Sequence, residues 1–145
     1  MRNQSIKLGL AAMLVAMAAA SVVSAQKKDE ESGAKSLATK LSGGDFRGDD
    51  HYVLTTGSRV RLSIQVPEEG SFVAIVASAA REHNVLDRDS MQLLAVTRGA
   101  RMGWMSYEFE VPDALAWQAI IVQVVCIGFG GQLYESAAMT LMLVE

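Results

Sequence analysis

Cysteine is nearly absent from this chain, with one thiol in 145 residues. A single cysteine excludes a disulfide-stapled miniprotein and a cysteine-based zinc finger, which both need several thiols. Histidine is almost as scarce: His51 and His83 are the only candidates for the base of a Ser–His–acid arrangement, and no G-x-S-x-G elbow accompanies them. A basic surplus is missing as well. Thirteen Lys and Arg face 16 Asp and Glu, a net charge of −3, whereas a nucleic-acid binder needs the opposite balance to neutralise phosphates. Half of the residues are hydrophobic and 20% are charged, so a wholly disordered chain is excluded. The length suits one domain.

Arg2 and Lys7 open the chain, and Leu8 to Val23 then run without a charge into the small residues Val23-Ser24-Ala25. Basic start, apolar stretch and small-residue junction are the order of a secretory signal peptide. The alternative is a retained helix, since the run approaches the shortest length that spans a ~30 Å hydrocarbon core. Its alanine-rich composition, and the lack of a basic block directly after Ala25, favour a cleaved leader over residues 1–25. The expected location is periplasmic or extracellular, with membrane contact only if the leader is kept. Without the leader, 11 basic residues remain against 16 acidic ones, a net charge of −5.

Residues 26–48 open with a charge run, carry four glycines and offer few large apolar side chains. Such a stretch buries too little surface to offset its ordering entropy, so a flexible arm is expected there. Leu37 and Leu41, spaced i,i+4, would form one helical turn on docking. The domain proper is expected over 49–145. His51 to Thr56 reads as a first strand. Arg59 to Val66 alternates, with Val60, Leu62, Ile64 and Val66 on one face and Arg61, Ser63 and Gln65 on the other, which marks a half-buried antiparallel strand. Pro67-Glu68-Glu69-Gly70 reads as a turn leading into Ser71 to Ala77, so Arg59–Ala77 is expected to be a hairpin. Ser78 to Ser90 is marginal for a helical crossover, which needs a dozen or more residues, and reads as a loop with one helical turn near Ala79–His83. Met91–Thr97 and Trp104–Val111 are further strands; in the latter, Met105, Tyr107, Phe109 and Val111 face inward and Ser106, Glu108 and Glu110 outward. Trp117 to Ile127 is apolar on both faces, and its Ile/Val enrichment and following glycines favour a buried strand. Glu135–Glu145 closes the chain. The fold class expected is all-β, an antiparallel two-sheet sandwich of about seven strands.

The stretches Tyr107–Pro112 (YEFEVP), Trp117–Val125 (WQAIIVQVV) and Ala137–Glu145 (AAMTLMLVE) together resemble the closing strands of immunoglobulin-like and fibronectin-III-like modules. The resemblance covers roughly the last 40 residues, and Cys126 lacks the earlier-strand partner that antibody-type domains have. It implies a binding or structural role in general. The tetrapeptide Gly128–Gly131 (GFGG) is similar to the glycine loop of chagasin-type cysteine-protease inhibitors, but their accompanying asparagine-proline and arginine-proline-tryptophan loops are missing.

Four groups of residues bear on chemistry. Asp45, Asp49, Asp50 and His51 cluster at the arm–domain junction, with oxygen donors that suit hard cations, and Asp87 and Asp89 could join them if the fold brings the loops together. Their spacing lacks the D-x-D-x-D-G pattern, so a solvated acidic loop is the plainer reading. A cupredoxin-type copper site fails because no histidine follows Cys126; Met102 and Met105 with His51 or His83 could form only a weak cuprous site, and Met105, Met139 and Met142 read better as core. Glu108 and Glu110 are paired carboxylates on the wet side of an alternating strand. Cys126 reads as a buried small hydrophobe. No catalytic, cofactor-binding or metal residue is therefore assigned, and no cofactor is expected.

The remaining signal is the greasy closing region. Val122, Val124, Met142 and Val144, or their opposites, are expected to form an exposed apolar patch beside a terminal edge strand, which would favour a protein partner or self-association. A loop over 34–46 covering that face is the alternative. The function expected is thus a non-enzymatic exported sandwich working by protein–protein contact, as an assembly subunit or accessory module; the alternative is a periplasmic ligand- or metal-binding domain.

Overall fold

The computed structural model describes residues 33–82 and 84–145. The leader over 1–25, the start of the arm and His83 lie outside the described residues. Among those described, the chain forms eleven strands and no α-helix: β1 Lys35–Ser36, β2 Thr39–Ser42, β3 Asp45–Gly48, β4 His51–Thr55, β5 Arg59–Val66, β6 Ser71–Ala79, β7 Gln92–Ala100, β8 Gly103–Glu110, β9 Ala119–Ile127, β10 Leu133–Glu135 and β11 Met139–Val144. Short 3-10 turns at Arg88–Ser90 and Asp113–Leu115 complete it. The all-β class is as the patterning indicates.

Two sheets share these strands. In the larger, β6 lies between β7 and β9; the far edge of β9 is taken by β11 over its first half and by β10 over its second. β4 and β3 continue the sheet beyond β11, and β1 beyond β10. The smaller sheet is β2-β5-β8. Pairing is not wholly antiparallel, as had been expected: β11 runs parallel to β4, and β1 to β10. Parallel neighbours need a long connection, and β4 and β11 are joined by most of the domain.

The sheets meet across one core. Val60, Leu62, Ile64 and Val66 of β5 pack with Val73, Ile75, Val122, Val124, Leu141 and Leu143 from the larger sheet. β5 obeys its alternation residue by residue. Burial of each such side chain contributes about 1.5–3 kcal/mol before entropy is counted. The expected β5–β6 hairpin does not form. β5 pairs with β2 and β8, while β6 pairs with β7 and β9 in the other sheet. The physical reason lies in the faces: β5 has one wet face, whereas β6 is buried on both, so β6 belongs in a sheet covered on each side. Pro67, without an N–H for a ladder, starts the crossing.

The arm over 26–48 is corrected for its described part. Residues 35–48 supply β1, β2 and β3, and Leu37 and Leu41 are core residues 5% and 9% exposed. Leu41 sits in β2, paired with β5, and Leu37 follows β1 with its N–H donating to Glu135 O, so no helical turn forms. Their backbone donors and acceptors are thereby met by partners far along the chain, which the local composition does not reveal.

The second face of β9 is covered in part by Ala80, Leu86 and Met91 of the β6–β7 connection. Ile121 and Val125 pack there with Ala74, Val76 and the buried Leu86. The described part of the expected turn, Ala79–Glu82, does not coil. β6 runs on through Ala79, whose N–H donates to Ser90 Oγ at 2.9 Å, and the turn forms instead at Arg88–Ser90. β11 is likewise not an edge strand: β9 and β4 occupy its two sides. Val122 and Val124 are core residues, and only Met142 of the expected patch is exposed. Among the described residues no helix is long and apolar enough to cross a membrane.

Candidate functional site

The acidic junction is brought beside the second loop, though not by its carboxylates. Asp49 and Asp50 form the β3–β4 turn with φ of 47° and 56°, a left-handed pair that Asp tolerates and whose twist suits a tight hairpin. His51 Nδ1 lies 3.1 Å from the Asp49 carbonyl oxygen, and Asn84 Nδ2 donates to the same oxygen at 2.9 Å. Thr140 Oγ1 in turn bonds Asn84 Oδ1. Asp45 pairs with Arg47 at 3.8 Å. Asp87 is engaged elsewhere, accepting from Ser90 Oγ at 2.6 Å and facing Arg81 Nε at 3.3 Å. The Ser90 hydroxyl, and then Arg81, hold its carboxyl below the usual carboxylate range. Among the described residues no three His, Cys, Asp or Glu side chains are placed to hold a metal ion.

The other sequence candidates disperse. Met105 packs against the core and Met139 lies within it, while Met102 and Met142 are exposed. Glu108 is bonded to Arg61, which lowers its pKa, and Glu110 stands opposite Arg59. Cys126 is fully buried, and burial pushes its thiol pKa up; the Glu68 charge adds to this and a hydrogen bond with Ser71 opposes it. Burial, followed by Glu68, raises the Tyr134 hydroxyl too. The Glu68 carboxylate covers Gly128, where a side chain would overlap it, and its Oε2 is buried without a hydrogen bond. A thiol and a phenol held protonated in this packed end of the core are poor nucleophiles.

A better candidate opens at the end of the smaller sheet, where the β1–β2 connection, the end of β5 and the β7–β8 turn surround a cleft of about 360 Å³. Its floor is Leu37 and Val66, both buried in the core; Pro67 and Met102 form walls, and Ser36 and Gln65 bring polar groups to the rim. The walls are tied down by backbone bonds. Leu37 N–H donates to Glu135 O at 2.8 Å, Gln65 N–H to Ala38 O at 3.0 Å, and Met102 N–H to Glu69 Oε2 at 2.9 Å. Met102 is nonetheless 66% exposed.

Gln65 is the cross-strand neighbour of Trp104, which stands on the same outward face and is 60% exposed. From that row the outer face of β5 and β8 continues as Ser63 opposite Ser106, with Oγ atoms 3.3 Å apart, then Arg61 opposite Glu108, then Arg59 opposite Glu110. Lys40 and Ser42 of β2 flank the Ser63 and Arg61 rows. A second depression of about 280 Å³ lies at the far end, between Ser42, Gly43, Arg59 and Glu108. Sequence reasoning passed over this face. The signal was present in the parity of β8: if Met105 and Tyr107 face inward, Trp104 faces water, an unusual place for an indole.

No protein-family model matches the chain, and no curated protein matches it. Several solved structures are similar in shape. They include a superoxide reductase (neelaredoxin) from Ignicoccus hospitalis, 8% identical with a TM-score of 0.48, covering 81% of this chain and 89% of that one. A cellulose-active polysaccharide monooxygenase from M. thermophila is 12% identical with a TM-score of 0.46, covering 73% of this chain and 62% of its own. The reeler domain of human F-spondin is 14% identical with a TM-score of 0.44, covering 77% and 91%. Likeness at this level carries no activity across to this chain. The resemblance to immunoglobulin-like and fibronectin-III-like modules accordingly stands only as an all-β, sandwich-like arrangement.

The expectation of a non-enzymatic protein working by contact through its closing strand is overturned. That strand lies inside the sheet with both sides paired, so strand addition there has no free edge to use.

Proposed function

We propose that this is an exported protein that binds a ligand in the cleft between the β1–β2 connection and the β7–β8 turn, with Trp104, which follows the lining residue Gly103, flanking it. The observation that supports the reading is a 360 Å³ cleft with a largely apolar floor and wall and two polar rim groups, opening beside an exposed indole. Ligand sites have that make-up, with apolar surface supplying affinity and a few polar atoms fixing orientation. An indole held at an outward position costs solvation of apolar surface that a bound ligand recovers. The depression among Arg81, Asp87 and Arg88 is the weaker candidate, because the Arg81–Asp87 pair there already holds the loop.

Fragment soaking of crystals tests the site directly. Fragments are expected to gather in the cleft, and the same fragments should lose about tenfold or more in affinity in Trp104→Ala but not in Trp117→Ala. Fragments scattered evenly over the surface, or insensitive to Trp104, would overturn the reading. Export rests on the leader, and amino-terminal sequencing of the protein from the producing cell should begin at Gln26.

A further inference from the structure

Resting on that ligand-binding reading, we propose that the ligand is a linear, uncharged oligosaccharide, which occupies the cleft with one end and lies along the outer face of β5 and β8. Three features of this face point to a sugar chain. The indole of Trp104 is exposed on the row of the lining residue Gln65, and its electron-rich face attracts the C–H edges of a pyranose ring. Beyond it, the Ser63–Ser106 row and the Gln65 side chain give hydroxyl and amide groups, donors and acceptors at once. Among the charges that follow, Arg61 is bonded to Glu108 and Arg59 stands opposite Glu110, with Lys40 of β2 beside the Ser63 row.

Apart from Lys40 the opposed charges balance, and this favours an uncharged ligand. An anionic polymer would have to compete with Glu108 for Arg61 and approach Glu110, and a cationic one would meet the arginines. A neutral polyhydroxyl chain displaces only water and hydrogen-bonds to the outer lone pairs and N–H groups of the pair as it stands. The dimensions agree. Six residues separate the Trp104 row from the Glu110 row, about 20 Å at ~3.3 Å per residue, with a depression at either end. A single small molecule fills one depression; only an extended one uses both and the rows between.

Isothermal titration with neutral gluco-, manno- and xylo-oligosaccharides, from disaccharide to hexasaccharide, and with oligogalacturonate, tests this. At least one neutral series is expected to bind with affinity rising with chain length, while oligogalacturonate binds at least about tenfold more weakly. Trp104→Ala should abolish measurable binding of every length, and Trp104→Phe should recover part of it. The double variant Ser63→Ala/Ser106→Ala should weaken the long chains and leave the shortest unchanged. All of these side chains face water, so unchanged circular dichroism is expected. Preference for the acidic chain, or affinity independent of length, overturns the inference. If fragments fill the cleft and no neutral saccharide binds, the sugar assignment fails and the ligand-binding reading survives; if the cleft takes neither, both fail.

Discussion

Ser78, Asp87 and Ser90 pin the segment that covers the outer face of the larger sheet. Asp87 N–H donates to Ser78 Oγ at 2.8 Å, and Ser90 Oγ donates to the Asp87 carboxylate while accepting from Ala79 N–H. Because the Ser90 hydroxyl and Arg81 favour the ionised carboxyl, its pKa is lowered in the folded chain. A group depressed on folding stabilises the fold above its ordinary value, and that contribution fades as pH falls through the lower, folded one. Amide protection at the described residues between Ala80 and Met91, taken relative to the intrinsic exchange rate at each pH, should therefore fall on acidification through the carboxylate range, ahead of protection in β9. In Asp87→Asn the segment should already exchange faster at neutral pH, with the acid-dependent step gone. Exchange that changes in β9 and the segment together would contradict a locally held cover.

At the scale of elements, the clearest case is the stretch 35–48, which has the composition of a tether and the position of three strands. Leu37 and Leu41 enter the same core as Leu62 and Leu141. Truncating a buried leucine costs about 2–5 kcal/mol, the lost transfer energy plus a cavity. Leu37→Ala and Leu41→Ala should each lower stability in urea by that order, whereas Lys40→Ala, exposed between them, should stay within about 0.5 kcal/mol. Leucine variants as stable as the parent would restore the flexible arm. The test bears on the proposed site too, since Leu37 is part of the cleft floor.

For the molecule as a whole, β9 is the spine: β6, β10 and β11 pair with it, and cores lie on both of its faces. Cys126 reports on that spine. Its thiol is fully buried and its pKa raised, chiefly by burial, and only the thiolate reacts. Labelling by a thiol reagent should thus be slow in native buffer and follow global unfolding as urea is added. Fast labelling at zero urea, in a protein with native circular dichroism, would show that the Glu68–Tyr134 end opens on its own.

What the amino-acid order determined by itself was local. A period of two is a property of neighbouring residues, so β5 could be placed over Arg59–Val66 with its inward residues, and β9 recognised as a strand apolar on both sides. The all-β class followed from the same patterning. Which strand lies beside which was left to the tertiary structure, since pairing joins residues far apart: β4 beside β11, β2 beside β5, and the arm's leucines beneath both sheets. The proposed site shares that division. Trp104 could be assigned to the wet face from the parity of β8 alone, but the cleft beside it exists only because the β1–β2 connection, from what reads as a tether, folds back against the end of β5.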